Sequence, residues 1–433
     1  MGLPDRVVYP LLVRFLQAVL RPSHATSFTA LSALVWAVLA AQSLHPADLV
    51  RALPDLTTGH ARQAFRRVRR GLRRSTLRRQ ALTPVLVPAV LRLVEEAEVL
   101  LVLDSTRAGR WELFTLGVRC HGRVLPVAWS ALPYPWPTGQ FTPTVVALLE
   151  RTLAYWPPDR PVHLVADRGF PSKALFQVLE EWRQRRRLGA TIRLRAGDWV
   201  WLDNTQPVRV GDLVRGLRPG QWRTWVACYP HCPPTADPTR LVVGRGLPSY
   251  PRHQMGPADW ARRQARAEQR ARYLRRKGQP GAVETDDIWC LLTTDTTWQA
   301  AVTHYSGRFS TEGTYRDVKS WGWEAIVAQE PEAVVVDGLT GLAVVSYLVQ
   351  ASIGAAAGRT RETAARARQR QWTTTDRLSV FSRGRLVLHD RAYDWCPWLT
   401  SLLPVLTQRL RGEPQVSAPP TPLPRPTPLQ EAA

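Results

Sequence analysis

Three carboxylates sit where chemistry could use them. Asp104 ends the apolar run EVLLVLD, Asp167 ends PVHLVAD, and Glu312 falls inside YSGRFSTEGTYRDVKS, the stretch Tyr305–Ser320. Crowded carboxylates repel, and each pKa rises unless a cation lies between them. Where the partner is a polyphosphate, the natural cation is a hard divalent metal with oxygen ligands and open positions for substrate. Two such ions about 4 Å apart can activate a water or hydroxyl and stabilise the leaving oxygen of a phosphodiester. Taken singly, Asp104 and Asp167 could equally end strands and cap turns.

The residues around Glu312 narrow the choice. At about 100° per residue on a helix, Tyr305, Arg308, Glu312 and Lys319 fall within about 60° of arc. One face then carries an acid, two cations and a phenol. The plainer reading is an i,i+4 pair of Arg308 and Glu312 on a solvated face, worth about 0.3–0.5 kcal/mol. Gly307 and Gly313 argue against a helix made for stability alone, since each costs about 1 kcal/mol relative to Ala. Lys319 is itself unusual, because of 58 Lys and Arg residues only Lys173, Lys277 and Lys319 are Lys. An ammonium kept in so Arg-rich a chain hints that a compact point charge is wanted there.

Charge indicates the partner. Over 433 residues the formal net charge is +23, which points to a polyanion, nucleic acid before an anionic membrane. The five Cys (Cys120, Cys228, Cys232, Cys290 and Cys396) are scattered and odd in number, as in a reducing cytosol. Cys228 and Cys232 flank YPH, but no second pair lies at zinc-finger spacing, so ordinary loop thiols are expected. No secretory signal is visible, since charge and Pro break the start, MGLPDRVVYPLLVRF. The uncharged runs Ala25–Ala47 and Gly338–Gly358 are each long enough to cross a bilayer. Both are rich in Ala, Ser and Thr and lie between charged segments, so buried helices of a soluble protein are expected.

The elements that must position the acids can be read in order. SLHPADLVRALPDLTTGHARQAFRRVRRGLRRSTLRRQ reads as a short helix, a turn at Pro54–Gly59 and a longer helix, with nine Arg between Arg62 and Arg79. That suits a helix-turn-helix-like reader, with Arg66, Arg69, Arg70 and Arg73 on phosphates, although a merely solvated cationic helix reads the same way. From Val99 three strands form a meander around a His121–Gly122 turn. A helix follows with Thr142 as N-cap and Pro143 at its first position. Then come the strand PVHLVADRGF, the amphipathic helix SKALFQVLEEWRQRRR and a fifth strand, ATIRLRAGDWVWL.

This is a ribonuclease-H-like α/β order, in which the strands ending in Asp104 and Asp167 lie side by side. The expected division is a helical basic DNA-binding domain at 1–95, the first part of the catalytic core at 96–200 and an inserted β-rich subdomain with a basic helix at 201–290. The rest of the core with C-terminal helices follows at 291–412, then a disordered Pro-rich tail at 413–433. The fold class is therefore α/β, a ribonuclease-H-like core with a mostly β insertion and an all-α N-terminal domain.

Tyr305-x2-Arg308-x3-Glu312-x6-Lys319 resembles the YREK signature of bacterial insertion-sequence transposases of the DDE class, the insertion-sequence-four family. LVLDST at Asp104 and ADRGFPS at Asp167 resemble that family's two other acidic blocks. The resemblance spans roughly Val99–Lys319; Phe309 and Thr311 depart from it, where family members more often show Trp and Ile. It implies that Asp104, Asp167 and Glu312 bind two Mg²⁺ (or Mn²⁺) ions, and that Tyr305, Arg308 and Lys319 hold backbone phosphates. It also implies that a Trp of the insertion, Trp222 or Trp225, stacks on a flipped base. The implied function is cut-and-paste DNA transposition, with metal-dependent hydrolysis and strand transfer at element ends. The partners would be double-stranded DNA (terminal inverted repeats and target) and a second copy in a synaptic homodimer, with no membrane. The location would be the bacterial cytoplasm, at the nucleoid. A ribonuclease-H-like nuclease without strand transfer and an inactive DNA-binding repressor are the alternatives; the basic insertion argues against the first and the intact acids against the second.

Overall fold

The computed structural model describes residues 3–20, 25–53, 61–202, 206–215, 217, 220–230, 239–245, 288–356 and 379–389, with isolated positions at 265, 269 and 272. The architecture is mixed α/β. The described residues fall into two compact units, one within Met1–Val99, Asp104–Pro157 and Ser310–Ala433, the other within Leu100–Leu103 and Pro158–Phe309.

The first unit holds the meander β3-β2-β1, built from β1 (Val99–Ala108), β2 (Trp111–Cys120) and β3 (Arg123–Pro133). His121 and Gly122 both take positive φ, 48° and 74°, which is what a two-residue hairpin turn needs, and Cys120 pairs with Arg123 across it. The expected turn is thus present. Helices Arg79–Leu91, Phe141–Ala154, Ser310–Lys319 and Ala333–Ala356 all contact β3. Covered in this way, β2 is buried from Trp111 through Val118, the near-continuous pattern of a strand shielded on both faces.

The long apolar helix Ala333–Ala356 organises the helical side of this unit. Its glycines sit at backbone contact, so that an added Cβ would lie 1.8 Å from the Leu72 carbonyl oxygen at Gly338 and 2.0 Å from that of Leu77 at Gly341. At Gly354 the same atom would lie 1.7 Å from the Val380 oxygen, and at Gly384 of the neighbouring helix Val380–His389 it would lie 1.9 Å from that of Gln350. Its buried amide is satisfied, since Gln350 Nε2 donates to the Phe381 carbonyl (3.2 Å) and Gln350 Oε1 accepts from Gln42 Nε2 (2.8 Å). The helix is long and apolar enough to span a bilayer, yet it is buried inside the protein from Val335 through Gly354. The other uncharged run breaks between Phe28–Ala41 and Pro46–Ala52 with a bend of 102°.

The second unit is a mixed sheet in the order Leu100–Leu103 of β1, then β4-β5-β10-β9-β8-β6-β7. Its strands are β4 (Val162–Ala166), β5 (Leu188–Arg193), β6 (Trp199–Leu202), β7 (Gln206–Arg209), β8 (Trp222–Cys228), β9 (Arg240–Arg245) and β10 (Ile288–Thr293). β4 and β5 run parallel; β10 is antiparallel to both β5 and β9, and β8 to both β9 and β6.

Four sequence expectations change. ATIRLRAGDWVWL forms two strands, because Asp198 accepts from the Arg195 N–H (2.8 Å) and turns the chain between β5 and β6. The β-rich segment after residue 200 continues the sheet through the β9–β10 pairing. β1 runs four residues past Asp104, so this acid lies within the strand and does not end it. The helix expected after a Thr142 cap starts at Phe141, with Gln140 at the cap. The turn at 54–60, the basic helix near 259–277 (apart from positions 265, 269 and 272) and the tail at 413–433 lie outside the described residues.

The glycine contacts give a test. Gly→Ala in a helix interior normally gains about 1 kcal/mol of propensity. At Gly338 and Gly354 the new methyl would meet a backbone oxygen, which cannot swing aside as a side-chain end can. Overpacking of this kind costs about 1–3 kcal/mol, so Gly338→Ala and Gly354→Ala should lower the unfolding midpoint. Gly169→Ala, with nothing within 4 Å of the new methyl, should leave it near wild type.

Candidate active site

In the second unit one acid is the centre of a charged cluster. Asp167 directly follows β4, and its backbone carbonyl accepts from the Phe170 N–H at 3.1 Å. The Tyr305 hydroxyl donates to Asp167 Oδ1 at 2.7 Å. Arg308 Nη2 lies 3.9 Å from Oδ2, and Arg193 Nη1 lies 4.0 Å from Oδ1. Burial alone would raise the Asp167 pKa; the Arg308 charge, the Tyr305 hydrogen bond, the Arg168 backbone N–H and Arg193 outweigh it and hold the carboxyl below its usual range. Tyr305 is pushed the other way, first by burial and then by Asp167 against the opposing Arg308, so it remains a protonated donor.

Packing fixes these groups. Tyr305 is fully buried, edge-on to Trp289 (5.1 Å, 76°), and the Arg308 guanidinium lies 5.0 Å over the Phe309 ring. Phe309, where the resembled family shows Trp more often, therefore keeps an aromatic role. Arg193 donates from Nη2 to the Ile288 carbonyl (3.0 Å), which ties it to β10. Sequence reasoning missed Arg193. The available signal was a cation inside the otherwise apolar strand ATIRLR.

A second buried polar group in this unit was also missed. His163 of β4 stacks on His304 (3.9 Å, 31°), and His304 Nδ1 lies 3.0 Å from Asp295 Oδ2. His163 Nε2 meets Thr191 Oγ1 at 2.8 Å, and Thr191 and Thr293 both reach Asp295 Oδ2 at 3.0 Å. Burial, reinforced by His304 and opposed by Asp295, lowers the His163 pKa to about 3, so this imidazole is neutral. The cluster joins β4, β5 and β10 to the helix that ends beside Tyr305. A His inside the apolar run VHLVA was the sequence signal.

The first unit holds the other named acids. Asp104 is 9% exposed, and its Oδ1 accepts from the Ser105 N–H at 2.9 Å. The Ser105 hydroxyl donates to Glu112 Oε1 at 2.6 Å. Helix Ser310–Lys319 docks on the meander through three polar side chains. Thr314 Oγ1 donates to the Val124 carbonyl (2.9 Å), Tyr315 Oη meets Thr115 Oγ1 (2.7 Å), and Asp317 Oδ2 accepts from Arg123 Nε (2.7 Å). Burial pushes the Asp317 carboxyl up despite the Arg123 bond. Glu312 is exposed on this helix, and Lys319 Nζ lies 3.0 Å from Glu324 Oε2.

The continuous α-helix expected to carry Tyr305, Arg308, Glu312 and Lys319 is interrupted. Helix Trp298–Ser306 passes into a 3₁₀ turn at Gly307–Phe309 before helix Ser310–Lys319 begins. Tyr305 and Arg308 are buried, whereas Glu312 is exposed.

The remaining candidates separate clearly. Arg66, Arg69, Arg70 and Arg73 are all exposed, while Ala64, Val68 and Leu72 of helix Ala61–Leu72 are buried, so the cationic face points to solvent. Arg69 and Arg73 share Glu332. Trp222 stacks on Trp298 (5.1 Å, 7°), and a Cβ at Gly244 would lie 2.2 Å from its ring. Trp222 is half-buried, and the face against Trp298 is taken by packing. Trp225 packs against the cluster containing Leu241 and Val243. Cys228 is buried, which raises its thiol pKa; Cys232 lies outside the described residues.

No family model and no curated protein matches the chain. Among solved structures, the cryo-EM structure of a piggyBac transposase synaptic complex with hairpin DNA is similar over 96% of this chain and 77% of that chain. The TM-score is 0.34 at 10% identity, a likeness too slight to carry an argument.

The Asp167 cluster predicts a pH signature. Tyr305→Phe should lower stability by about 1–3 kcal/mol at pH 7, the usual worth of a hydrogen bond to a charged group. Because the folded pKa of Asp167 is depressed, its stabilisation is present above the unfolded value and lost as pH falls through the folded one. The deficit of the variant in denaturant unfolding should therefore shrink as pH drops below about 4.

Proposed function

We propose that the chain is a DNA transposase of the DDE class, acting on phosphodiesters at element ends from a ribonuclease-H-like core. One observation carries the reading: Tyr305, singled out by motif spacing, reaches Asp167 across 138 positions of sequence, and Arg308 accompanies it. The strand order adds support. Asp104 directly follows the stretch Leu100–Leu103 that neighbours β4, and Asp167 directly follows β4.

The donor chemistry suits a hard divalent ion, because Asp104, Asp167 and Glu312 offer oxygen alone and Asp167 is ionised at neutral pH. These three residues would hold two Mg²⁺ (or Mn²⁺) ions, which when bound lower the pKa of a water or 3′ hydroxyl and stabilise the leaving oxygen. The protein's own groups prepare that chemistry. The Tyr305 hydroxyl orients Asp167, and Arg308 and Arg193 keep it charged. Lys319 would exchange Glu324 for a backbone phosphate, and the exposed Arg66, Arg69, Arg70 and Arg73 would neutralise duplex phosphates. Two copies would pair element ends in the bacterial cytoplasm, at the nucleoid, without a membrane.

Purified chain with Mg²⁺ and duplexes carrying the element's ends tests this. Asp104→Ala, Asp167→Ala and Glu312→Ala should each lose cleavage by about a hundredfold or more while retaining salt-sensitive DNA binding. Wild-type cleavage by any one of them would overturn the assignment.

A further inference from the structure

The segment between β3 and helix Phe141–Ala154 carries an exposed aromatic that the site above does not use. Trp136 is 42% exposed, and residues 135–140 are all exposed. Its ring is nevertheless held in place. Phe141 lies 4.8 Å away at 54°, Tyr134 lies 5.6 Å away at 88°, and Phe141 in turn meets the buried Phe114 edge-on at 5.2 Å. These contacts run unbroken from the core of β2 to the surface.

Cations flank this ladder. The Arg107 guanidinium lies 3.5 Å over the Tyr134 ring, and its Nε donates to the Gly109 carbonyl at 3.3 Å. The Tyr134 N–H donates to the Arg110 carbonyl at 2.7 Å, which binds the segment to the β1–β2 turn. Arg107 and Arg110 are both exposed, and residues 131–141 include no acid. An exposed, pre-positioned indole beside two cations offers a base a face and its phosphates a charge at little ordering cost.

We propose that Trp136 is a stacking platform for an unpaired base of single-stranded DNA, with Arg107 and Arg110 on the adjoining phosphates. The inference rests on the DNA-processing reading above and deepens it, since strand cleavage at an element end exposes unpaired bases. A Pro-rich peptide also docks on aromatics, but it needs a groove with aromatic walls. Tyr134 stands at 88° to Trp136, so the two rings do not form the parallel walls of such a groove.

Fluorescence anisotropy of labelled oligothymidylate with the full chain tests the platform. Trp136→Ala should weaken single-strand binding about tenfold or more, and Trp136→Phe should retain most of it. Arg110→Ala should reduce the salt slope by about 0.7, the value for one single-strand phosphate contact. Binding to a blunt duplex should not change in any of these variants. Unaltered single-strand binding by Trp136→Ala, or an equal loss on single strand and duplex, would overturn the platform. Tighter binding of a Pro-rich peptide than of oligothymidylate, lost in Trp136→Ala, would also overturn it. Wild-type chain that cleaves duplex with Mg²⁺ while Trp136→Ala binds single strand normally would refute only this inference. Absence of binding to any DNA would refute the functional reading with it.

Discussion

A carboxylate withdrawn from water must be met by donors and cations, and around Asp167 that requirement decides the second unit's layout. The acid follows β4, its phenol partner comes from the helix ending at Ser306, and its two guanidinium neighbours come from the 3₁₀ turn and from β5. Each partner is fixed from behind, Tyr305 by Trp289 and Arg193 by the Ile288 carbonyl. The buried Asp295 cluster joins the same helix to β4, β5 and β10. Losing the acid would leave guanidinium groups close to one another without a counter-charge, the costly outcome for any partly buried ion pair.

The first unit meets its own demand differently. Its long apolar helix reaches neighbouring backbones through glycines, and its buried Gln350 amide is satisfied within the bundle. Helix Ser310–Lys319 sits on β2 and β3 through Thr314, Tyr315 and Asp317, and Glu312 stays exposed. The helix that carries a metal-binding candidate is thus anchored by residues that the motif does not include.

Much of this was legible in the residues. The His121–Gly122 turn, the apolar strands and the uncharged helices follow from periodicity and turn chemistry, which are local. The spacing grouped Tyr305 and Arg308 with Glu312, whereas the acid they meet is Asp167, which the spacing did not indicate. What failed depended on detail that pattern reading does not carry. A 3₁₀ turn interrupts the assumed continuous helix, and one Asp198 hydrogen bond splits an expected strand. Arg193, His163 and Asp295 were invisible as a set because long-range strand pairing, not spacing, brings them to their partners. Trp222 reads as an available aromatic, but Trp298 stacks on one of its faces.

The proposed function turns on whether Asp104, Asp167 and Glu312 together hold divalent metal. Loss of the free Mn²⁺ signal in electron paramagnetic resonance, with full chain and a linear duplex titrated together, measures this without any cleavage. The account predicts that Mn²⁺ binds, that Mg²⁺ displaces it, and that Asp104→Asn, Asp167→Asn or Glu312→Gln each removes bound ions. Equal Mn²⁺ uptake by wild type and all three variants would contradict it.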